Sequence, residues 1–170
     1  MKPSQKDNDI KVVQMANDVF LPQVVALLHE SHTVTLPLRG RSMRPFLEDG
    51  RDKAVLTAIT EPPQVGDAVL AEISKGHFVL HRIVGIDGNK VTLRGDGNLS
   101  DEHCTLDDIR AKATAFYRKG RKKADSTSGS KWRIYSWWWT RLFPLRRYLL
   151  FALHPHVPRF LKKGKDNDSK

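Results

Sequence analysis

The chain has 170 residues, 39% of them hydrophobic and 28% charged, which is the composition of a globular protein and not of a fibrous or wholly disordered one. Its single cysteine excludes an internal disulfide framework and a cysteine-rich zinc module. The net charge of +10 is unevenly distributed, because residues 1–117 hold 14 basic and 16 acidic residues whereas residues 118–170 hold 15 and 3. Any contact with an anionic surface is therefore expected in the C-terminal region.

The N-terminal region predicts a polar arm over residues 1–16 and then a helix over 17–31, with Asn17 or Asp18 as its cap and Pro22 in its first turn. No leader sequence is expected, because the first apolar stretch has no small-residue cleavage site. No apolar run approaches the roughly 18–20 residues that span a bilayer. A cytoplasmic protein is therefore expected.

Six short β-type runs follow, separated by turn residues, and Asp87-Gly88-Asn89 is a strong hairpin signal. The runs are residues 33–38, 54–59, 67–73, 77–86, 90–94 and 111–117. The predicted fold class is mostly β (α+β), with a compact coiled sheet or barrel over residues 32–118.

The C-terminal region has a different character. Residues 119–131 are basic and then rich in serine and glycine, which predicts a flexible linker before an amphipathic segment over 132–160 and a charged tail over 161–170. Drawn as a helix, the start of the segment gathers its apolar residues on one arc, with Trp137 as the exception. The arc comprises Trp132, Ile134, Tyr135, Trp138, Trp139, Leu142 and Phe143.

Tryptophan-rich faces beside arginines are typical of the lipid headgroup zone, so the segment predicts peripheral membrane association. The alternative is a helix docked on the protein's own domain or on a partner. No nucleic acid is expected as a partner, because no base-reading module is recognisable.

The most specific segment, residues 40–47, reads Gly-Arg-Ser-Met-Arg-Pro-Phe-Leu and is followed by Gly50 and Asp52. Ser42 therefore lies just past a predicted strand, between a glycine and a proline, on backbone expected to turn tightly at the surface. A nucleophile needs such access, although an ordinary turn serine has the same surroundings.

Four segments in this order resemble the signal peptidase I and SOS-repressor superfamily of serine peptidases. They are the Ser42 segment, Val-Gly-Asp-Ala-Val-Leu at 65–70, Val-Leu-His-Arg-Ile-Val at 79–84 and Leu-Arg-Gly-Asp-Gly-Asn at 93–98. The resemblance covers about residues 34–117. It implies that Ser42 is the nucleophile and that an extended substrate pairs with an exposed strand edge beside it.

His81 holds the position at which bacterial signal peptidases and the repressors have a lysine base, as in the signal peptidases of the endoplasmic reticulum. The resemblance implies that Asp101 or Glu102 orients this histidine. The chain departs from the signal-peptidase pattern at Gly40, where serine is usual, and at Arg51, which splits a Gly-Asp pair. It also shows no transmembrane anchor ahead of the serine.

The chemistry is coherent by itself, because a serine hydroxyl needs a base at neutral pH and a histidine held in one tautomer can supply it. The backbone N–H of Ser42 and one neighbouring donor would meet the oxyanion. Asp96 is a third acid near the base, or else caps its own turn, and Lys53 and Lys75 are rival bases.

A metal site is the remaining chemical alternative, built from His77, His81, His103 and Cys104, but their spacing fits no standard zinc set. The sequence thus predicts a serine endopeptidase that acts on a peptide or protein and needs no cofactor. The competing prediction is a non-catalytic module of the same fold that docks on a membrane or partner.

Overall fold

The computed structural model of this chain describes residues 17–121, 123–142, 145 and 148–150. In the sequence, helices α1 (Asn17–His29) and α2 (Ser130–Arg141) flank eight strands. The strands are β1 (Val34–Pro37), β2 (Lys53–Thr57), β3 (Ala68–Ser74), β4 (His77–Asp87), β5 (Lys90–Arg94), β6 (Glu102–Thr105), β7 (Ile109–Tyr117) and β8 (Asp125–Ser126), and a 3-10 turn, Leu106–Asp108, joins β6 to β7.

The strands form one antiparallel sheet in the order β1-β2-β7-β3-β4-β5-β6, and β8 pairs with β7. The predicted mostly-β (α+β) class is therefore confirmed, and each of the six predicted strands has a counterpart. The described strands form an open sheet that ends at β1 and β6, so the barrel alternative does not hold for this part of the chain.

Apolar side chains pack on both faces of the sheet. The larger cluster joins α1, the loop after β1 and α2 to the sheet, and it includes Val24, Phe46, Leu56, Phe116 and Trp132. The smaller cluster consists of Val69, Ala71, Ile83, Val91, Leu93 and Ile109. Because neighbouring residues of a strand point to opposite faces, His81 and Arg82 of β4 face different surroundings.

β6 is a strand that the sequence does not predict. Glu102–Thr105 is short and carries no buried apolar residue, because it pairs only with β5 at the end of the sheet. Half-exposed polar residues give no alternating pattern. The strand nevertheless matters, since its first residue is one of the two acids expected near His81.

The prediction of a flexible linker over residues 119–131 is wrong for the described part of that segment. It contains β8, which pairs Asp125 with Phe116 of β7. Arg118 and Arg121 each donate to the Asp125 carboxylate, at 2.7 and 2.9 Å. The segment thus has the basic, polar composition of a linker, but strand pairing and the ion pairs of Asp125 attach it to β7.

The helix predicted from Trp132 corresponds to α2, but its apolar arc is divided between the protein and solvent. Trp132, Ser136 and Trp139 are buried against the sheet, with Tyr135 half-buried beside them. The exposed fractions of Ile134, Trp137 and Trp138 are 60%, 49% and 55%. The buried residues therefore lie at positions i, i+4 and i+7 of the helix. One of them is a serine, so an arc defined by apolar residues alone does not identify the buried face.

The remaining predicted segments fall mostly outside the described residues. The polar arm over 1–16 and the charged tail over 161–170 lie outside them entirely. Of the predicted segment 132–160, the part beyond α2 is described only at Leu142, Leu145 and 148–150. In the described part of the chain, no helix has the length and apolar character that a bilayer crossing requires.

Candidate active site

Ser42 lies half-buried in the loop that connects β1 to β2. The two ends of this loop are joined by backbone hydrogen bonds, from Leu38 N to Asp52 O and from Gly50 N to Leu38 O, both 2.9 Å long. Gly40, with a φ of +86°, makes the sharp departure from β1 that places the serine beyond the strand end. The loop is therefore closed at its base and turned sharply before the serine.

Asp52 also holds the same loop in place through its side chain. Its buried carboxylate accepts hydrogen bonds from the backbone of Glu48 (2.9 Å) and Lys119 (3.2 Å) and from the Arg51 guanidinium (2.7 Å). Burial alone would raise the pKa of Asp52, but these donors lower it below its usual range. The charged carboxylate thus ties the Ser42 loop to the turn after β7.

The turn Gly95–Asn98 packs directly behind the serine. The backbone N–H of Gly97 donates to the Ser42 carbonyl at 2.7 Å. A Cβ on Gly95 would lie 2.4 Å from that carbonyl oxygen, and a Cβ on Gly97 would lie 2.6 Å from the Arg41 carbonyl oxygen. Both glycines are required because the turn and the Ser42 loop approach each other backbone to backbone.

His81 lies on β4 with only 3% of its surface exposed. Its Nδ1 lies 2.8 Å from Oε2 of Glu102, which is the first residue of β6. The distance is that of a hydrogen bond although the angle is not well aligned, and neither atom has another hydrogen-bond partner among the described residues. Glu102 is therefore close enough to the inner ring nitrogen to orient the imidazole.

The pKa of His81 lies below the ordinary histidine value. Burial is the main cause, because it disfavours the charged imidazolium, and the negative charge of Glu102 opposes it without cancelling it. The ring is consequently neutral at pH 7. A neutral imidazole can accept a proton, which is what a general base must do.

Ser42 and His81 line the same pocket, which has a volume of about 130 Å³. Its walls are otherwise largely apolar, and Arg39 and Glu48 are the charged side chains among them. The lining residues are Leu38, Arg39, Gly40, Ser42, Met43, Leu47, Glu48, Phe78, Val79, Leu80 and His81. A hydroxyl and a neutral imidazole that share a small apolar pocket can carry out nucleophilic attack with general-base assistance.

The other acids considered near the base have different partners. Asp101 pairs with Arg94, whose Nη2 lies 2.6 Å from its carboxylate. Asp96 is buried and accepts two hydrogen bonds from Arg82, at 2.9 and 2.7 Å. The structure thus brings Glu102, and neither Asp101 nor Asp96, to the ring nitrogen of His81, and the choice that the sequence left open falls on Glu102.

The rival bases and the metal alternative find no support in the geometry. Lys53 and Lys75 are exposed and do not line the pocket of Ser42. Among residues 17–121, 123–142, 145 and 148–150, no three His, Cys, Asp or Glu side chains are grouped to hold a metal ion. Burial raises the pKa of the Cys104 thiol, so it stays protonated.

Arg82 is the residue that sequence reasoning missed. It is fully buried, and besides Asp96 it donates to the carbonyl of Gly66 at 2.9 Å and to the hydroxyl of Ser136, while its guanidinium lies 4.4 Å from the ring centre of Trp132. The sequence signal for this buried pair was an arginine in the middle of an otherwise apolar strand, because a buried guanidinium needs a buried acid as its partner.

No protein-family model matches this chain, and no curated protein matches it significantly. The roles of these residues are therefore argued from their geometry.

Proposed function

We propose that this protein is a serine endopeptidase of the signal-peptidase-like type, with Ser42 as the nucleophile, His81 as the general base and Glu102 as the group that orients it. The observation that carries the proposal is the shared pocket of Ser42 and His81, with Glu102 at 2.8 Å from the inner ring nitrogen. A structural histidine alone would not explain why a carboxylate lies behind the ring and a hydroxyl lines the same pocket.

In the proposed reaction, Ser42 Oγ attacks the scissile carbonyl carbon while His81 Nε2 takes the hydroxyl proton. The carbonyl oxygen becomes an oxyanion, which the backbone N–H of Ser42 and a neighbouring donor would stabilise. The C–N bond then breaks, and His81 returns the proton to the leaving amine. Water, deprotonated by the same imidazole, hydrolyses the acyl ester and regenerates the serine.

The substrate in this proposal is an extended peptide. Among the described residues, β1 pairs with β2 and with no strand on its other side, and the first part of β4 pairs with β3 but not with β5, whose pairing begins at Arg82. Two strand edges therefore border the pocket that holds Ser42. A peptide can add to such edges by backbone hydrogen bonds while one side chain enters the apolar pocket.

Labelling with a fluorophosphonate probe tests the proposal. The wild-type chain should bind one probe on Ser42, identified by mass spectrometry, and Ser42→Ala should bind none. His81→Gln should slow labelling by at least about 10³-fold, because residues that act as one catalytic unit lose most of their activity when any one of them is removed. Ser100→Ala, which changes an exposed serine, is the matched control. A folded wild-type chain that stays unlabelled would favour the non-catalytic docking module.

The proposal places this reaction at an anionic membrane surface. Ile134, Trp137 and Trp138 form an exposed row on α2, and the guanidinium of Arg141 lies 4.5 Å from the ring centre of Trp137. Exposed tryptophans with a cation beside them suit the interface between lipid headgroups and acyl chains.

Vesicle flotation tests this location. The full chain should float with anionic vesicles and do so less at high salt, because the electrostatic part is screened. The double change Trp137→Ala with Trp138→Ala should abolish flotation and leave Ser42 labelling unchanged. Tyr117→Ala, which removes an exposed ring elsewhere, is the control. Equal flotation of the double variant would remove α2 as the membrane contact.

A further inference from the structure

Two side chains of α2 hydrogen-bond to a single residue of the turn behind the nucleophile. Trp139 donates its indole N–H to the backbone carbonyl of Asp96 at 2.9 Å, and Tyr135 donates its hydroxyl to the Asp96 carboxylate at 3.0 Å. The carbonyl and carboxylate of Asp96 are buried, so these donors satisfy groups that water does not reach. The helix thus holds the turn by both the backbone carbonyl and the side-chain carboxylate of Asp96.

The same turn is in direct contact with the nucleophile. Asp96 lies between Gly95 and Gly97, the two glycines that lack room for a Cβ against the Ser42 loop. The N–H of Gly97 donates to the Ser42 carbonyl at 2.7 Å. An unbroken path of hydrogen bonds and covalent bonds therefore runs from Trp139 through Asp96 and Gly97 to the backbone of Ser42.

A second path leads from α2 to the base. Arg82 follows His81 on β4, and it donates to the hydroxyl of Ser136 in addition to its pair with Asp96. Its guanidinium lies against the rings of Trp132 and Tyr135, at 4.4 and 5.5 Å from their centres. The helix therefore contacts the immediate neighbours of both members of the proposed dyad.

These contacts are polar and buried, which distinguishes them from the apolar packing that covers a core. A helix that only excluded water would need no donor aimed at a turn carbonyl. Undocking would leave the Asp96 carbonyl without its indole donor, and the turn would then be free to shift against Ser42. Displacements of this kind reduce reactivity even when the fold survives, because attack requires close alignment.

We propose that α2 is an activating clamp, in which Trp139 and Tyr135 are positioning residues that hold the Asp96 turn and thereby keep Ser42 in its reactive geometry. The proposal rests on the serine peptidase function proposed above. It makes the reactivity of Ser42 depend on docking of a helix that lies more than thirty residues beyond the last residue of the turn.

The experiment compares Trp139→Phe and Tyr135→Phe in the full chain. Each removes one hydrogen-bond donor and keeps an aromatic ring. Tyr117→Phe is the matched control, because it removes the hydroxyl of an exposed ring that lies outside α2. The measurements are the rate of fluorophosphonate labelling of Ser42, the final labelled fraction, Tm, and kcat and KM on a peptide substrate.

Trp139→Phe should slow labelling about 5- to 30-fold, the range that corresponds to losing one buried hydrogen bond of about 1–2 kcal/mol. Tyr135→Phe should slow it about 2- to 10-fold, because its hydroxyl is one of several partners of the carboxylate. The final labelled fraction should equal that of the wild type, and the loss should appear in kcat with KM nearly unchanged. Tyr117→Phe should behave as the wild type.

The outcomes separate the clamp from the function on which it rests. If the wild type is labelled and both variants react at its rate per folded molecule, with only Tm lowered, α2 is a structural cover and the clamp is wrong. A change in KM with kcat unchanged would also show that the clamp is wrong. If Trp139→Phe does not fold, Tyr135→Phe decides the matter, because it removes a single oxygen. An unreactive folded wild type would instead refute the peptidase function itself, and the clamp with it.

Discussion

His81 and Arg82 are neighbours on β4, and each is paired with a carboxylate on its own face of the sheet. Arg82 is fully buried and meets Asp96 through two hydrogen bonds, with further partners at Gly66 and Ser136. His81 Nδ1 lies 2.8 Å from one oxygen of Glu102, whose side chain is 31% exposed, and the residue lines the same pocket as Ser42.

The difference shows which of the two pairs can serve the proposed reaction. A charge surrounded by donors and acceptors on all sides has no capacity left for chemistry and is stable only while every partner stays in place. A neutral imidazole that contacts one carboxylate and lines a pocket retains that capacity. Four expected results would break or sharpen this comparison.

The largest effect is expected from Arg82→Met. The change leaves the Asp96 carboxylate buried without its cation, which costs about 3–5 kcal/mol of unfolding free energy. Chemical denaturation measures this loss. Arg110→Met is the matched control, because the half-exposed pair of Arg110 with Glu72 (2.9 Å) should cost at most about 1 kcal/mol. Equal losses in the two variants would mean that the buried pair has no special structural role.

A smaller effect, on activity, is expected from Glu102→Gln. The amide keeps the size of the side chain and removes the charge that stabilises the imidazolium, so kcat/KM should fall about 10- to 100-fold, as for a lost charge-assisted hydrogen bond of about 1.5–3 kcal/mol. Asp101→Asn, which changes the neighbouring acid that pairs with Arg94, should leave kcat/KM nearly unchanged. The reverse pattern would assign the orienting role to Asp101.

The smallest effect is a displacement of the pH profile. Because burial lowers the pKa of His81, kcat/KM of the wild type should rise with pH through a midpoint below the ordinary histidine value of about 6.5. Glu102→Gln removes a charge that raises this pKa, so its midpoint should lie lower still. A rate that keeps climbing to about pH 9 would point back to Lys53 or Lys75.

The same pKa fixes the sign of one contribution to stability. The unfolded chain binds a proton at His81 more readily than the folded chain does, so folding is favoured above the ordinary histidine value. This contribution is lost as the pH falls below that value toward the folded pKa. A maximum of stability in that acidic range would contradict the neutral, buried state of the ring.

The sequence by itself determined most of the strands and pointed to Ser42 and His81 as candidate site residues. Local signals suffice for this, because β-type runs between turn residues locate strands such as β4 and β5 without knowledge of their partners. Ser42 and His81 were predicted from the motifs around them and from the resemblance of those motifs to a serine peptidase superfamily. The sequence could only predict that these two residues lie together, and the folded structure places both in the lining of one pocket.

Tertiary structure alone decided which acid meets His81 and which groups the C-terminal helix contacts. Asp101 and Glu102 are adjacent in the chain, and only the pairing of β6 with β5 separates them, turning Glu102 to His81 and Asp101 to Arg94. Likewise, the buried polar partners of α2 come from β4 and from the turn after β5. Such contacts join residues far apart in the sequence, so no local pattern of composition or periodicity encodes them.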